Sequence, residues 1–263
     1  APVPAAPSRI IAPVPRFSAA VALDPATIGP FLDELEARTG VTGDAAGVLA
    51  QARGGTFVVT EADAQSSATD EIALAFVRGL AALEQAQPEQ AFAWFRQVQR
   101  GASDFMGAAF YLGAALALQG QDREAAGAWQ LALLSDGAPA VYPVLVDALL
   151  RLGEGEQALE LIDEAPEVWR DQDGLARRKA TVQAMLGEYA AALEALQTLL
   201  ARAPADSDLL FTALQVLYRV RIDEGELSAA QRDQFERWAD AYRSANGPQI
   251  VLVDSWRQYI RAQ

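Results

Sequence analysis

Residues 152–158, LGEGEQA, place Gly153, Gly155 and Ala158 in the Gly-x-Gly-x-x-Ala pattern that cradles a dinucleotide pyrophosphate. That chemistry needs a β-strand ahead of the first glycine, so that the next helix opens toward the phosphate. Here the preceding segment reads as a helix, and Gly153 reads as the turn that ends it. DQDG (171–174) opens like a calcium loop, but its glycine comes early and no Glu stands at the closing position. It reads as a turn between helices. Glu61, Asp63, Asp70 and Glu71 are carboxylates close enough in sequence for acid–base work. In so acidic a chain they read as solvated loop charges, with Asp70 a candidate helix cap. The chain has no cysteine and no histidine. Thiol nucleophiles, Ser-His-Asp triads and His- or Cys-based zinc sites are therefore excluded. The reading is a non-enzyme with no catalytic residue, no metal and no cofactor.

The elements around these residues are those of a folded protein. Hydrophobic residues make up 51% of the 263 and charged ones 21%, too apolar for a disordered chain. The longest uncharged apolar stretch, Met106–Leu118, falls short of the ~20 residues a membrane span needs. The net charge is −14 and the pI about 4.4, so phosphate backbones and anionic lipid surfaces repel the body. Nucleic-acid binding and a membrane span are not expected.

A period of 33–34 residues runs through the chain. Gly79 and Gly113 lie 34 apart, and Gly120, Gly153 and Gly187 follow at intervals of 33 and 34. Ala91, Ala125, Ala158 and Ala192 recur at 34, 33 and 34, each followed four residues later by Phe95, Trp129, Ile162 or Leu196. Small residues let two helices approach, and the large ones fill the gap beside them. Four units follow: 72–105, 106–138, 139–171 and 173–206. A fifth first-helix carries Leu210, Ala213, Leu214 and Leu217. Beyond RIDEGE (221–226), Ser228–Ala245 reads as a helix with Phe235, Trp238, Ala239 and Tyr242 on one stripe. A last helix, 249–262, carries Ile250, Val253, Trp256 and Ile260. Upstream, Ile28–Arg38 and Ala45–Ala52 read as short helices of a degenerate cap.

FYLGAALALQGQDREAAGAWQLAL (110–133) resembles the tetratricopeptide repeat (TPR) at Leu112, Gly113, Leu116, Gly120, Ala125, Trp129 and Ala132. Arg78 and Lys179 depart from the pattern at a position that is usually leucine. The resemblance implies an all-α fold: a right-handed TPR-type helical solenoid, with an extended Pro-rich leader and a C-terminal capping helix pair. The organisation expected is leader 1–26, degenerate cap and loop 27–69, four repeats 70–206 and cap helices 207–263. It also implies a peptide groove on the inner face of the first helices. Phe76, Leu80 and Leu83 fall there in the first repeat, and Phe110, Ala114, Ala117 and Leu118 in the second. The later repeats place Leu150, Arg151 and Arg177 there. The Lys/Asn/Arg clamp for a terminal carboxylate is missing. An alternative is that the chain's own N-terminal helices fill this apolar face. The segments 16–38, 109–130 and 247–261 are also similar to the C-terminal part of secreted bacterial proteins with a von Willebrand factor A-type domain, which implies an extracellular or periplasmic setting. The start at Ala rather than Met fits export after signal removal, or a segment of a longer chain.

The leader APVPAAPSRIIAPVPRF (1–17) holds five of the thirteen prolines, two arginines and no acidic residue. The prolines forbid helix and favour polyproline II or edge-strand geometry. Extended, it reaches roughly 50 Å. Arg9 and Arg16 complement an acidic body, and Ile10, Ile11, Val14 and Phe17 offer apolar contacts. The function expected is a non-catalytic interaction module whose partner is protein. One version is a self-assembling subunit, in a filament or oligomer, with its leader docked on the next copy. The other is an adaptor whose groove takes a peptide segment of another protein.

Overall fold

The computed structural model describes residues 14, 16–59, 67–134, 140–167 and 173–262. These form helices and no strand. They group into two compact units, Pro15–Glu154 and the residues from Gly155 onward, the second of which also takes Val14. The division falls inside the third repeat.

The N-terminal unit contains α1 (Ala19–Ala22), α2 (Pro25–Thr39), α3 (Gly43–Arg53), α4 (Ala68–Glu84), α5 (Pro88–Gly101), α6 (Met106–Leu118), α7 (Asp122–Ala132) and α8 (Val141–Leu152). Local sequence sets several of the ends. Asp24 caps α2 by accepting from the Ala26 amide, Pro25 opens its first turn and Gly40 closes it in the left-handed region at φ 60°. A capping box starts α4, with the Ser67 hydroxyl accepting from the Asp70 amide and the Asp70 carboxylate accepting from the Ser67 amide. Asp70 is thus the third helical residue of α4, and the cap itself is Ser67. The expected leader of 26 residues is too long: helix begins at Ala19 under a Ser18 cap. No proline lies between Arg16 and Asp24, so nothing there prevents it.

Each α4–α5 and α6–α7 pair is an antiparallel hairpin, and successive hairpins pack α5 on α6 and α7 on α8. Gly120 and Gly153 end α6 and α8 at φ 78°, a backbone region a side chain strains. Helix glycines at the repeat positions allow close packing within each hairpin. A Cβ on Gly79 would sit 2.5 Å from the Phe95 ring, and one on Gly113 would sit 2.5 Å from the Trp129 indole. Arg78 replaces the usual leucine by laying its guanidinium over Trp94, 5.3 Å from the ring centre.

The C-terminal unit contains α9 (Gly155–Glu164), α10 (Asp173–Leu186), α11 (Tyr189–Arg202), α12 (Ser207–Asp223), α13 (Ala229–Ser244) and α14 (Ile250–Arg261). Its core joins Leu196, Leu200, Leu210, Leu214 and Leu217 to Phe235, Trp238, Tyr242, Val253, Trp256 and Ile260. The stripes read for α13 and α14 are therefore the buried ones, apart from half-buried Ile250. Lys179, the second departure from the repeat pattern, reaches Asp163 at 2.6 Å instead of filling the core.

Candidate protein-interaction site

The inner face expected to bind a peptide is built by α4 and α6. Phe76, Leu80, Leu83, Phe110 and Ala114 all lie on it, and all five are fully buried. Phe76 packs edge-on against Phe95, Phe105 and Tyr111, with ring centres 5.1–5.7 Å apart. Phe110 is stacked at 5.0 Å by Phe31, which comes from α2. Ile28, Phe31, Leu32 and Leu35 make one apolar stripe along α2, and all four are buried. The Tyr111 hydroxyl donates to the Ala22 carbonyl at 2.9 Å, tying the end of α1 to the same face. Burial holds the Tyr111 phenol well above its ordinary range, so it stays a neutral donor.

These contacts correct the groove assignment in the first two repeats. Phe76, Leu80, Leu83, Phe110 and Ala114 are core residues: Phe31 of α2 stacks on Phe110, while Phe76 is enclosed by Phe95, Phe105 and Tyr111. Only Ala117 and Leu118, at the end of α6, remain partly accessible. The signal that finds the cover is the 28–31–32–35 spacing in α2, the periodicity of a helix seeking an apolar partner.

Further along, Leu150 is buried. Arg151 donates to Asp122 at 2.9 and 2.7 Å. In the C-terminal unit Arg177 donates to Asp206 at 2.7 Å. Asp206 also caps α12, accepting from the Asp208 and Leu209 amides. The Arg177 hydrogen bond holds the Asp206 carboxyl below its ordinary value. Both arginines are thus engaged within their own units rather than offered to a ligand.

Of the leader, Arg9, Ile10 and Ile11 lie outside the described residues. Val14 is half-buried and Arg16 exposed. Phe17 packs on Trp129 of the same chain, ring centres 5.3 Å apart. Trp129 in turn donates from Nε1 to the Phe110 carbonyl at 3.0 Å. Phe17 therefore anchors the base of the leader and is not one of its free contacts.

The candidate chemical sites dissolve into structure. Helix α8 precedes Gly153, so a dinucleotide loop has no strand to start from. Gly174 lies inside α10, while Glu61, Asp63, Asp171 and Gln172 fall outside the described residues. Asp70 is spent in the capping box, and Glu71 sits 3.8 Å from Arg78. Among the described residues no group of three or more Asp, Glu, His or Cys is placed to hold a metal ion. Nor is any helix among them long and apolar enough to cross a membrane.

No family model and no curated protein matches the chain. Solved structures do. The crystal structure of YrrB, a TPR protein with an unusual peptide-binding site, superposes with a TM-score of 0.61 at 16% identity, over 77% of this chain and all of that one. A tetratricopeptide repeat protein from Parabacteroides merdae ATCC 43184 gives 0.51 at 12% identity, over 89% of this chain and all of that one. The fold is that of the tetratricopeptide-repeat proteins.

Proposed function

We propose that this chain is a non-catalytic protein-interaction module that works outside the cytoplasm and associates with itself, its N-terminal leader docking on a neighbouring copy. One observation carries the reading: the apolar inner face of α4 and α6 is occupied by the chain's own α2, through Phe31 on Phe110. The contact chemistry left for a partner then lies in the leader, where Ile10 and Ile11 stand between prolines and Arg9 and Arg16 face an acidic body. Burying each isoleucine yields ~1.5–3 kcal/mol. Ordering the chain costs ~1–2 kcal/mol per residue, less for proline, so docking needs a preformed acceptor. A contact between unlike patches propagates as a filament unless its rotation closes a ring. The extracytoplasmic setting rests only on the resemblance read from the sequence of residues 16–38, 109–130 and 247–261, to which no family model or curated protein adds.

A second reading, an adaptor for a peptide of another protein, is favoured by the fold shared with YrrB, a TPR protein with an unusual peptide-binding site. Sedimentation velocity separates the two. The intact protein is expected to form larger species as its concentration rises, and the double variant Ile10→Asp, Ile11→Asp to stay monomeric with unchanged helical circular dichroism. An intact protein that remains monomeric at high concentration leaves only the adaptor reading.

A further inference from the structure

In the repeat stack α6 packs against the preceding α5, whereas α4 has no repeat before it. Helix α3 and the non-helical residues 56–59 take that side instead. They leave a cleft of about 320 Å³, with Phe57, Val58 and Trp94 as apolar walls and Arg78, Gln85 and Gln90 as polar ones. Two small residues of α4, Ala81 and Ala82, line it too, which is why it is not filled. Val58 is 55% exposed, as few large aliphatic side chains of this unit are besides Val21, Leu131 and Leu134.

The walls have a particular chemistry. Trp94 is half-buried, with the Arg78 guanidinium over its ring. Gln85 and Gln90 are exposed, and each carries a carboxamide N–H₂. Among the described residues no carboxylate lines the cleft. The neighbouring Glu84 and Glu89 stand exposed beside the two glutamines. An aromatic wall beside side-chain N–H donors suits a polyproline II segment. Proline rings pack on the aromatic face, and the backbone carbonyls, unbonded in that conformation, accept from the donors.

Such a segment occurs twice in this chain: Ala-Pro-Val-Pro stands at 1–4 and again at 12–15. Phe17, two positions beyond the second, packs on Trp129. The first stands at the end of a thirteen-residue tether from Phe17, about 40 Å when extended. We infer that the Phe57–Val58–Trp94 cleft is the acceptor for Ala1–Pro4 of a second copy. Arg9, within the tether, is opposite in charge to the exposed Glu84 and Glu89. The inference deepens the proposed self-association and rests on it.

The test uses the full chain carrying p-benzoylphenylalanine in place of Val3, irradiated and mapped by mass spectrometry. The expected product is dimer-sized, with the cross-link in the peptides that contain Val58 or Trp94. Val58→Asp, a change at an exposed position, is expected to lower its yield about tenfold with unchanged circular dichroism. Trp94→Ala is expected to act in the same direction. A dimer cross-linked elsewhere, or one indifferent to Val58→Asp, overturns the acceptor while leaving leader-mediated association standing. A monomer-sized product on the same peptides overturns the second-copy assignment in favour of the chain's own leader. Absence of any product from a protein that associates in sedimentation overturns the acceptor alone. Absence from a protein that stays monomeric removes the proposed function with it.

Discussion

Gly113 and Trp129 carry the repeat's logic at the scale of single residues. The helices of the second hairpin approach until a Cβ on Gly113 would meet the indole at 2.5 Å, and the indole Nε1 is already committed to the Phe110 carbonyl. Gly113→Ala is expected to destabilise the fold by about 1–3 kcal/mol, because the ring must shift and its hydrogen bond with it. Gly127, on the exposed side of α7, has no neighbour within 4 Å of an added Cβ. Gly127→Ala is expected to stabilise by about 0.5–1 kcal/mol through reduced chain entropy. Urea unfolding followed by circular dichroism checks both signs. Equal effects of the two substitutions would mean that close approach is not what the repeat glycines serve.

At the scale of elements, α14 is held by two kinds of contact. Trp256 stacks on Tyr218 at 4.9 Å and on Phe211 at 5.5 Å, closing the apolar side of α12. An ion-pair network ties it to α13: Arg257 and Arg261 both reach Glu236 at 2.7 Å, and Arg257 also reaches Asp240. The Arg261 hydrogen bond, with Arg257 beside it, holds the Glu236 carboxyl below its ordinary value of 4.5. Arg257 does the same for Asp240. A depressed carboxyl stabilises the fold above its unfolded value, and that stabilisation is lost as pH falls through the lower folded value. The protection of α14 against hydrogen exchange, relative to the intrinsic rate at each pH, is therefore expected to fall below about pH 4, ahead of α4–α7, whose packing is mainly apolar and aromatic. Glu236→Gln is expected to flatten that pH dependence. Exchange that rises uniformly through the chain would instead show that the network does not set the hold on α14.

For the whole molecule the governing quantity is charge. The chain carries −14, while its first seventeen residues hold two arginines and no acid. Self-association that brings this leader onto an acidic neighbour is screened by salt, since exposed charges lose most of their interaction beyond the ~10 Å Debye length of a 0.1 M solution. Raising ionic strength from about 0.05 to 0.5 M is expected to weaken association in sedimentation experiments while the helical signal holds. Strengthening with salt would point to a contact made by apolar groups alone.

The sequence by itself determined the helical class, the repeat and its helix ends. These depend on local rules: glycine tolerates the left-handed turn at 120, 153 and 187, and the small–large spacing at Ala125 and Trp129 suits an antiparallel pair. It also determined the buried stripes of α13 and most of that of α14, because a helix repeats every 3.6 residues whatever it packs against. Only the tertiary structure decided what covers what. Phe110 has the same apolar character whether it lines an open groove or a core, and it is Phe31, seventy-nine positions away, that makes it core. Phe17 likewise belongs by composition to the free leader, and by packing to Trp129. Arg151 and Arg177 read as a basic groove until Asp122 and Asp206, each twenty-nine positions distant, neutralise them. Burial and charge pairing depend on partners that chain connectivity does not specify, so a site made from them becomes legible only once the helices have met.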